Sequence, residues 1–338
     1  MNPVRFGVIS TAKIGLQRVI PAMQKGKDVV IEAIASRDLD RARKVADDFG
    51  IARAYGSYEE LLADSAIEAV YNPLPNHLHV PVSIQAVEAG KHVLCEKPIA
   101  LDADEAKQLI AARDRTGVVI AEAFMVRHHP QWQKARKLVQ AGRIGELRAV
   151  QAVFSYMNRD PDNVRNQAGI GGGGIYDIGC YPTVIARYLF AEEPVRALAL
   201  IERDPDFLTD RLASAILHFP KGQAQFICST QLVAQQRVQV FGTAGRIEFD
   251  LPFTPLEDET ARLLIDDGSG RGFDAMEMIP FKGINQYTLQ GDHFARVVRG
   301  EAKLDFPLED AVRNMAAIDA LYRSGESGGW EEVRSCSA

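Results

Sequence analysis

The segment GGGGIYDIGCYP, at 171–182, combines four glycines with two side chains able to move a proton. Asp177 and Tyr181 are four positions apart, a spacing that puts side chains on one face of a helix. A carboxyl and a phenol on such a face can bind a hydroxyl group and transfer its proton. A second short segment, CEKP at 95–98, adds Lys97. Whether the glycines form a flexible joint or the floor of an active site depends on the elements around them.

The first third of the chain alternates short apolar runs with helical patterns, which is typical of a parallel α/β sheet. We predict strands at 4–9, 29–35, 69–72, 93–95 and 118–121, and helices at 14–25, 39–49, 80–89 and 102–115. Ser57 is expected to cap a further short helix, with Glu60 answering from three residues on. The pattern predicts a doubly wound, Rossmann-type domain of about six strands over residues 1–123.

Residues 124–338 show a different pattern, because strands follow one another without crossover helices. We predict a helix at 131–140, a strand at 147–156, a helix after the glycines, and strands at 197–201, 213–219, 223–230, 237–241 and 246–249. Lys221 and Gly222 should form a hairpin turn, and Pro182 should interrupt the helix after Tyr181. This predicts a second, α+β domain with a mostly antiparallel open sheet.

The turn after the first strand determines whether the first domain can hold a dinucleotide. In GVISTAKIG, Ser10, Ala12 and Gly15 stand at the three glycine positions of the motif G-x-G-x-x-G. Small side chains there let backbone N–H groups approach a pyrophosphate, although a plain strand–turn–helix fits equally well. Ser36 and Arg37 end the second strand where NAD-binding domains have an acid. A hydroxyl and a guanidinium suit a 2′-phosphate, so we expect NADP rather than NAD.

Two charged residues at strand ends need separate interpretations. Asp38 is interpreted as the N-cap of the next helix, paired on the helix surface with Arg41. Lys97 ends the fifth strand, and ligands of open α/β sheets bind outside the carboxyl ends of the strands. Pro98 keeps Lys97 extended at this edge. Lys97 is therefore expected to face a cofactor crevice, with an ordinary surface Glu–Lys pair as the alternative.

Over nearly its whole length the chain resembles the glucose-fructose oxidoreductase / inositol dehydrogenase / MocA (Gfo/Idh/MocA) family. The likeness rests on the N-terminal strand–turn–helix, on PNHLH at 75–79, on AGKHVLCEKPIAL at 89–101 and on GGGGIYDIGCYP. Tyr181 stands where some members have His and others Tyr. The resemblance is therefore closer to the dihydrodiol dehydrogenase and D-xylose dehydrogenase-like branch than to the inositol dehydrogenases. The chain departs from the family in its degraded glycine motif.

The resemblance implies that the first domain binds NAD(P) and that the second lines a substrate site for sugars or polyols. The implied catalytic residues are Lys97, Asp177 and Tyr181. The implied cofactor-binding residues are Ser10, Thr11, Ala12, Lys13, Ile14, Ser36, Arg37, Asn72, Leu74, Asn76, His79, Glu96 and Lys97. The implied substrate-binding residues are Arg127, Arg159, Arg165 and Asn166 together with the catalytic three. No metal is expected, because no histidine pair has the i, i+4 spacing of a helical metal site.

Together with these residues, the resemblance implies an NADP-dependent dehydrogenase or reductase acting on the carbinol carbon of an aldose, a polyol or a vicinal diol. Tyr181 would remove the hydroxyl proton, and Lys97 would stabilise the phenolate, because a phenol ordinarily has a pKa of about 10. Asp177 would hold the lysine or a substrate hydroxyl. The alternative is a non-catalytic dinucleotide-binding sensor or transcriptional regulator of the same fold.

Composition limits the other possibilities. A length of 338 residues favours two domains, and a net charge of −6 without basic runs favours neither nucleic acid nor an anionic membrane as a partner. No signal peptide or long apolar span is recognised, and Cys95, Cys180, Cys228 and Cys336 lie far apart. We expect a cytoplasmic protein. Apolar residues at both alternating positions of 213–219 and 223–230 predict a homodimer or homotetramer formed through the second sheet.

Overall fold

The computed structural model describes residues 2–269 and 276–334, and the chain forms two compact units. The first unit combines Met1–Met125 with Asn285–Val312, and the second combines Val126–Ile284 with Arg313–Ala338. The change at residue 125 lies close to the boundary expected after residue 123. Residues 285–312, which the sequence pattern assigned to the second domain, belong to the first unit. Cys336 lies outside the described residues.

The strands of the described residues form two sheets. They are β1 Val4–Ile9, β2 Val29–Ala35, β3 Arg53–Tyr55, β4 Ala69–Asn72, β5 His92–Cys95, β6 Ile120–Glu122, β7 Leu147–Met157, β8 Arg196–Arg203, β9 Asp210–Phe219, β10 Gly222–Ser229, β11 Gln231–Gly242, β12 Arg246–Phe249, β13 Thr260–Asp266, β14 Glu277–Lys282 and β15 Glu331–Glu332. The first sheet is parallel, in the order β3-β2-β1-β4-β5-β6. The predicted doubly wound topology is confirmed.

The second sheet has the order β14-β13-β12-β11-β7-β10-β9-β8-β15 within the described part of the chain. Its neighbours are antiparallel except for β7 and β10, which run parallel. The mostly antiparallel sheet is therefore confirmed. The sequence pattern did not predict β3, β13, β14 or β15, which are short or peripheral strands.

The α-helices of the described residues are α1 Ile20–Met23, α2 Leu39–Phe49, α3 Tyr58–Ala63, α4 His79–Glu88, α5 Ala103–Thr116, α6 Pro130–Gln140, α7 Cys180–Phe190, α8 Gln286–Val298 and α9 Leu308–Ser327. A π-helical segment precedes α1 at Gly15–Val19, and another precedes α7 at Ile175–Gly179. Pro182 lies in α7 three residues after the π-helical segment, and the helix continues through it to Phe190. The predicted interruption of the helix after Tyr181 is wrong.

Short polar side chains begin the helices as predicted. The Asp38 carboxylate accepts the backbone N–H groups of Asp40 and Arg41 at 3.0 and 3.1 Å, which makes it the N-cap of α2. The guanidinium of Arg41 instead donates to the carbonyl of Thr11 at 3.4 Å. The expected side-chain pair between Asp38 and Arg41 is therefore wrong, because the arginine reaches back toward the turn after β1.

The start of α3 and the turn between β9 and β10 differ in detail from their predicted forms. Ser57 Oγ accepts the N–H of Glu60 at 3.1 Å, as a cap should, while the Glu60 carboxylate accepts from Gly56 rather than from Ser57. The predicted hairpin joins β9 and β10, but Gly222 is already paired with Phe219 in the ladder. The loop is therefore one residue earlier than the predicted Lys221–Gly222 turn.

Aromatic contacts account for the membership of each unit. Phe6 on β1 and Phe294 on α8 are both buried, with ring centroids 5.9 Å apart, which explains why α8 joins the first unit. In the second unit, Trp132 on α6 stacks on Phe249 of β12 at 4.0 Å between centroids. Its indole N–H donates to the carbonyl of Pro252 at 2.7 Å, so the buried polar edge of the ring is satisfied.

Candidate active site

The turn after β1 has a glycine-like backbone although it lacks a glycine. Ser10 has a φ of 83°, in the left-handed region that side chains ordinarily avoid. Its N–H donates to the carbonyl of Ala35 at 3.0 Å, and its Oγ accepts the N–H of Ala12 at 3.3 Å. Thr11 is buried, Ile14 is partly buried and Lys13 is exposed. The turn therefore keeps the tight shape that the first motif glycine provides, which fits a bound pyrophosphate.

The end of β2 offers a hydroxyl and a guanidinium. Ser36 is buried, and its Oγ accepts the N–H of Asp38 at 3.2 Å. Arg37 is exposed and lies beside Tyr58, where burial raises the pKa of the phenol and the arginine charge opposes that rise. Asp38 follows directly, and its carboxylate caps the N-terminus of α2.

Asn72 and His79 brace the ends of β4 and β5. The buried amide of Asn72 donates to the His79 carbonyl at 3.2 Å and accepts the N–H of Leu74 at 3.2 Å. The imidazole of His79 lies between the carbonyls of Leu74 and Pro98, each 2.7 Å from a ring nitrogen. Burial lowers the pKa of His79 to about 4, although both carbonyl contacts favour the protonated ring. Asn76 begins the short 3₁₀ turn that leads into α4.

Glu96 and Lys97 follow β5 directly. The hydroxyl of the fully buried Tyr71 donates to Glu96 Oε1 at 2.7 Å, and burial, together with the Glu96 charge, raises the pKa of Tyr71 well above its ordinary value. Glu96 Oε2 lies 3.3 Å from the backbone nitrogen of Lys97. Lys97 is partly buried at the carboxyl edge of the first sheet, as the sequence predicted.

The glycine segment is a packed turn rather than a flexible joint. A Cβ on Gly172 would lie 2.7 Å from the carbonyl oxygens of both Arg165 and Gln167. Gly173 has a φ of 125°, and a Cβ there would overlap Asp210 Oδ1. Real Cβ atoms do not approach other atoms so closely, so no larger residue fits either position without rearrangement.

Asp210 connects this turn to α9. Its Oδ2 accepts the N–H of Ile175 at 2.6 Å, and its Oδ1 accepts the hydroxyl of Tyr322 at 3.1 Å. The side chain is almost completely buried, and burial raises the pKa of Asp210 to about 6. The two hydrogen bonds fix the start of the helix that carries Asp177 and Tyr181.

Asp177 accepts hydrogen bonds at both carboxylate oxygens. Arg165 Nε lies 2.8 Å from Oδ1, and the Tyr156 hydroxyl donates to Oδ2 at 2.5 Å. Asp177 is the main cause that raises the pKa of Arg165, with smaller contributions from Tyr156 and Tyr181. The guanidinium of Arg165 is therefore within electrostatic reach of both phenols, and the site of the second unit contains a permanent cation.

Tyr181, near the start of α7, packs among aromatic rings. It is 4% exposed, and its ring centroid is 5.6 Å from that of Phe154, which it meets edge-on, and 5.6 Å from that of Phe253. This packing allows the ring little choice of orientation. The second unit thus brings together Asp177, Tyr181 and Arg165, and Lys97 belongs to the first unit.

Arg159, Asn166 and Arg127, the remaining residues expected to bind substrate, lie in loops and in a 3₁₀ turn. Arg159 is largely exposed, with its guanidinium 3.9 Å from Asp206. Asn166 is buried, and its amide donates to the carbonyl of Asp160 at 2.8 Å, which folds the loop after β7. Arg127 is buried in the 3₁₀ turn before α6. The contacts of Arg159 and Asn166 are thus with the loops that follow β7 and precede β9.

Sequence reasoning missed Tyr156 and Asp210. Tyr156 and Phe154 are two residues apart and so share one face of β7, which the sequence pattern shows. The pattern does not show which helix packs against that face. Asp210 begins β9 and is 35 residues from Ile175, so no spacing rule connects them. Among the described residues there is no cluster of metal-ligating side chains, and no helix there is long and apolar enough to span a membrane.

Comparison with known families identifies the class of protein that this fold and site define. Residues 4–124 match the model of the oxidoreductase family with a NAD-binding Rossmann fold, GFO_IDH_MocA, and residues 132–248 match a GFO/IDH/MocA C-terminal domain. The chain therefore belongs to the Gfo/Idh/MocA family. It is an NAD(P)-dependent oxidoreductase, and the resemblance found in the sequence is confirmed.

Individual relatives match along the whole chain. An uncharacterized oxidoreductase of Rhizobium meliloti, ORF334, is 50% identical over 98% of this chain and 100% of its own length. The D-xylose 1-dehydrogenase (NADP(+)) 2 of Haloferax volcanii is 37% identical over 97% of this chain and 99% of its own length. The crystal structure of KijD10, a 3-ketoreductase from Actinomadura kijaniata in complex with NADP and TDP-benzene, matches with a TM-score of 0.89 at 30% identity. The match covers 96% of this chain and 98% of that chain.

Proposed function

We propose that this protein transfers a hydride between NADP and the carbinol carbon of a sugar, a polyol or a vicinal diol. The observation that carries the proposal is the guanidinium of Arg165, which pairs with Asp177 and lies within electrostatic reach of Tyr181. Relatives named as a D-xylose dehydrogenase and as a 3-ketoreductase support the same class of reaction.

Each side chain has a role in the proton transfer that accompanies hydride transfer. Tyr181 removes the hydroxyl proton of the substrate in oxidation and returns it in reduction. Arg165 stabilises the phenolate, because a nearby cation favours the charged form of a phenol. Lys97, at the carboxyl edge of the first sheet, is proposed as a further catalytic residue. Asp177, held by Arg165 and Tyr156, orients a substrate hydroxyl. The bound nicotinamide supplies the hydride acceptor or donor.

NADP is the proposed cofactor because a hydroxyl and a guanidinium, rather than an acid alone, stand at the end of β2. Ser36 and Arg37 can bind a 2′-phosphate, and Asp38 uses its Oδ1 to cap the N-terminus of α2. The turn at Ser10 to Ile14 and the braced strand ends at Asn72, Leu74, Asn76, His79 and Glu96 form the remainder of the proposed cofactor site. On the substrate side, we propose Arg127, Arg159, Arg165 and Asn166 in addition to the catalytic residues.

A substrate panel tests this function against the sensor alternative. Pentoses, hexoses, anhydro-sugars and diols are assayed with NADP and with NAD, and the same panel is used in binding titrations. Turnover of at least one sugar or diol is expected, and Tyr181→Phe should reduce that turnover by about 10²- to 10⁴-fold with NADP affinity nearly unchanged. Binding of NADP and a sugar without hydride transfer would favour a sensor. Near-normal turnover by Tyr181→Phe would mean that another group is the base.

We also propose a cytoplasmic homodimer or homotetramer. Cys95, Cys180 and Cys228 are buried thiols, which fits a reducing compartment. On the outward face of the second sheet Leu200 is 77% exposed and Ile227 is 40% exposed, an arrangement that a second copy of the sheet would cover. Ile227→Asp should shift sedimentation toward a monomer, and Val30→Asp, a change at a comparably exposed valine on β2 of the first unit, serves as control. A wild-type monomer at micromolar concentration would contradict the proposal.

A further inference from the structure

Two side chains on one face of β7 contact the two residues of the proposed catalytic pair. Phe154 and Tyr156 are two residues apart on one face of the strand, a separation of about 7 Å. Asp177 lies in the π-helical segment Ile175–Gly179, and Tyr181 follows four residues later in the first turn of α7. Phe154 packs on Tyr181, and Tyr156 donates its hydroxyl hydrogen to Asp177.

Tyr156 restricts the orientation of the Asp177 carboxylate more than Arg165 does alone. A single guanidinium contact at Oδ1 leaves the Asp177 carboxylate able to rotate about its Cβ–Cγ bond. A second donor at Oδ2, coming from β7, fixes the plane of the carboxylate. Burial, followed by the charge of Asp177, raises the pKa of Tyr156 well above its ordinary value, so the phenol keeps its proton and acts as a donor. Arg165 and Tyr156 therefore hold Asp177 from two different elements.

We propose that Tyr156 is a positioning residue of the active site, acting through its hydrogen bond to Asp177. The inference rests on the proposed function, in which Asp177 and Tyr181 are catalytic. Tyr156 orients the carboxylate and favours its ionised form, because a hydrogen bond to a charged group stabilises that group. Phe154 orients the Tyr181 ring by packing edge-on against it. One strand face thus aligns both members of the pair.

The kinetic test uses Tyr156→Phe, which removes one oxygen and keeps the ring. Loss of a hydrogen bond to a charged group should lower kcat/KM by about 10- to 100-fold, with NADP affinity unchanged. Tyr188→Phe, a change at another buried tyrosine of the same unit, is the control and should stay near wild type. A kcat/KM for Tyr156→Phe within about threefold of wild type would overturn the inference.

A double-mutant cycle separates a role through Asp177 from direct contact with substrate. If Tyr156 acts through Asp177, then Tyr156→Phe combined with Asp177→Asn should lose little more activity than Asp177→Asn alone. Multiplicative losses would show that Tyr156 acts on the substrate directly and would overturn the positioning role. If Asp177→Asn and Tyr181→Phe both retain normal turnover, the proposed function of the site is wrong.

A measurement independent of turnover tests the hydrogen bond itself. With aspartate labelled at ¹³Cγ, the Asp177 resonance is assigned from its absence in Asp177→Asn. In Tyr156→Phe the carboxylate should titrate at a pH at least about one unit higher than in the wild type, because it has lost a donor. An unchanged titration would overturn the inference even if the protein proves to be an active dehydrogenase.

Discussion

Replacing Asp210 by asparagine should stabilise the protein at neutral pH and not at acid pH. Burial raises the pKa of Asp210 from its ordinary 3.8 to about 6, against the opposing effects of the Ile175 N–H, the Tyr322 hydroxyl and the charge of Arg203. The buried thiol of Cys228 also lies within its electrostatic reach. Ionised Asp210 is therefore a buried charge that costs the fold stability above pH 6.

The magnitude follows from the linkage between proton binding and folding. A rise from 3.8 to about 6 corresponds to about 3 kcal/mol, at about 1.4 kcal/mol for each pKa unit. The folded protein binds this proton more tightly than the unfolded chain, so the stabilisation is complete below pH 3.8 and is lost as the pH rises to about 6. The side chain introduced by Asp210→Asn would not titrate, because an amide has no proton to lose in this range.

The amide is close in shape to the carboxyl and can satisfy both partners. Its oxygen can accept the N–H of Ile175, and its NH₂ group can donate to the oxygen of Tyr322. Relative to wild type, Asp210→Asn should therefore gain about 3 kcal/mol in the free energy of unfolding between about pH 4 and pH 7. The other titrating groups are common to both proteins and cancel in the difference.

Denaturant unfolding at half-unit pH steps measures this difference. Asp258→Asn, a change at an exposed carboxylate of the same unit, matches the change in charge and should show little pH dependence relative to wild type. A difference between Asp210→Asn and wild type that stays constant over about pH 4 to 7 would refute the reasoning. It would mean that Asp210 has an ordinary pKa in the folded protein.

Two further predictions concern the proposed cofactor site. Arg37→Ala should weaken NADP binding by about tenfold or more and leave NAD binding nearly unchanged in calorimetric titrations. Arg43→Ala, at an exposed arginine on α2, is the control, and equal affinity of the unmodified protein for both nucleotides would contradict the assignment. Ser10→Gly should raise the free energy of unfolding by up to about 1 kcal/mol, because glycine adopts a φ of 83° without strain. A loss of stability in thermal unfolding would show that the Ser10 hydroxyl contributes more than the strain costs.

Local patterns predicted most of the elements that lie near the site. Apolar runs located β1, β2 and β4, and Asp38 and Ser57 marked helix starts because a short polar side chain caps the N–H groups of its own chain neighbours. The short strand β3 has three residues, too few for a hydrophobic period, and it was missed. The helix α8 was missed as well, and its membership of the first unit depends on the contact of Phe294 with Phe6.

The sequence by itself determined the type and spacing of the catalytic candidates. The four-residue step from Asp177 to Tyr181 predicts that they share one face of a regular helix, and the structure adds a π-helical segment at Ile175–Gly179. Only the tertiary structure decided what holds them. Tyr156 meets Asp177 across 21 residues and Asp210 meets Ile175 across 35, while the glycines at 172 and 173 are required by atoms of Arg165, Gln167 and Asp210. Such contacts depend on how strands and helices pack against one another, and no periodicity along the chain encodes which side chains that packing brings together.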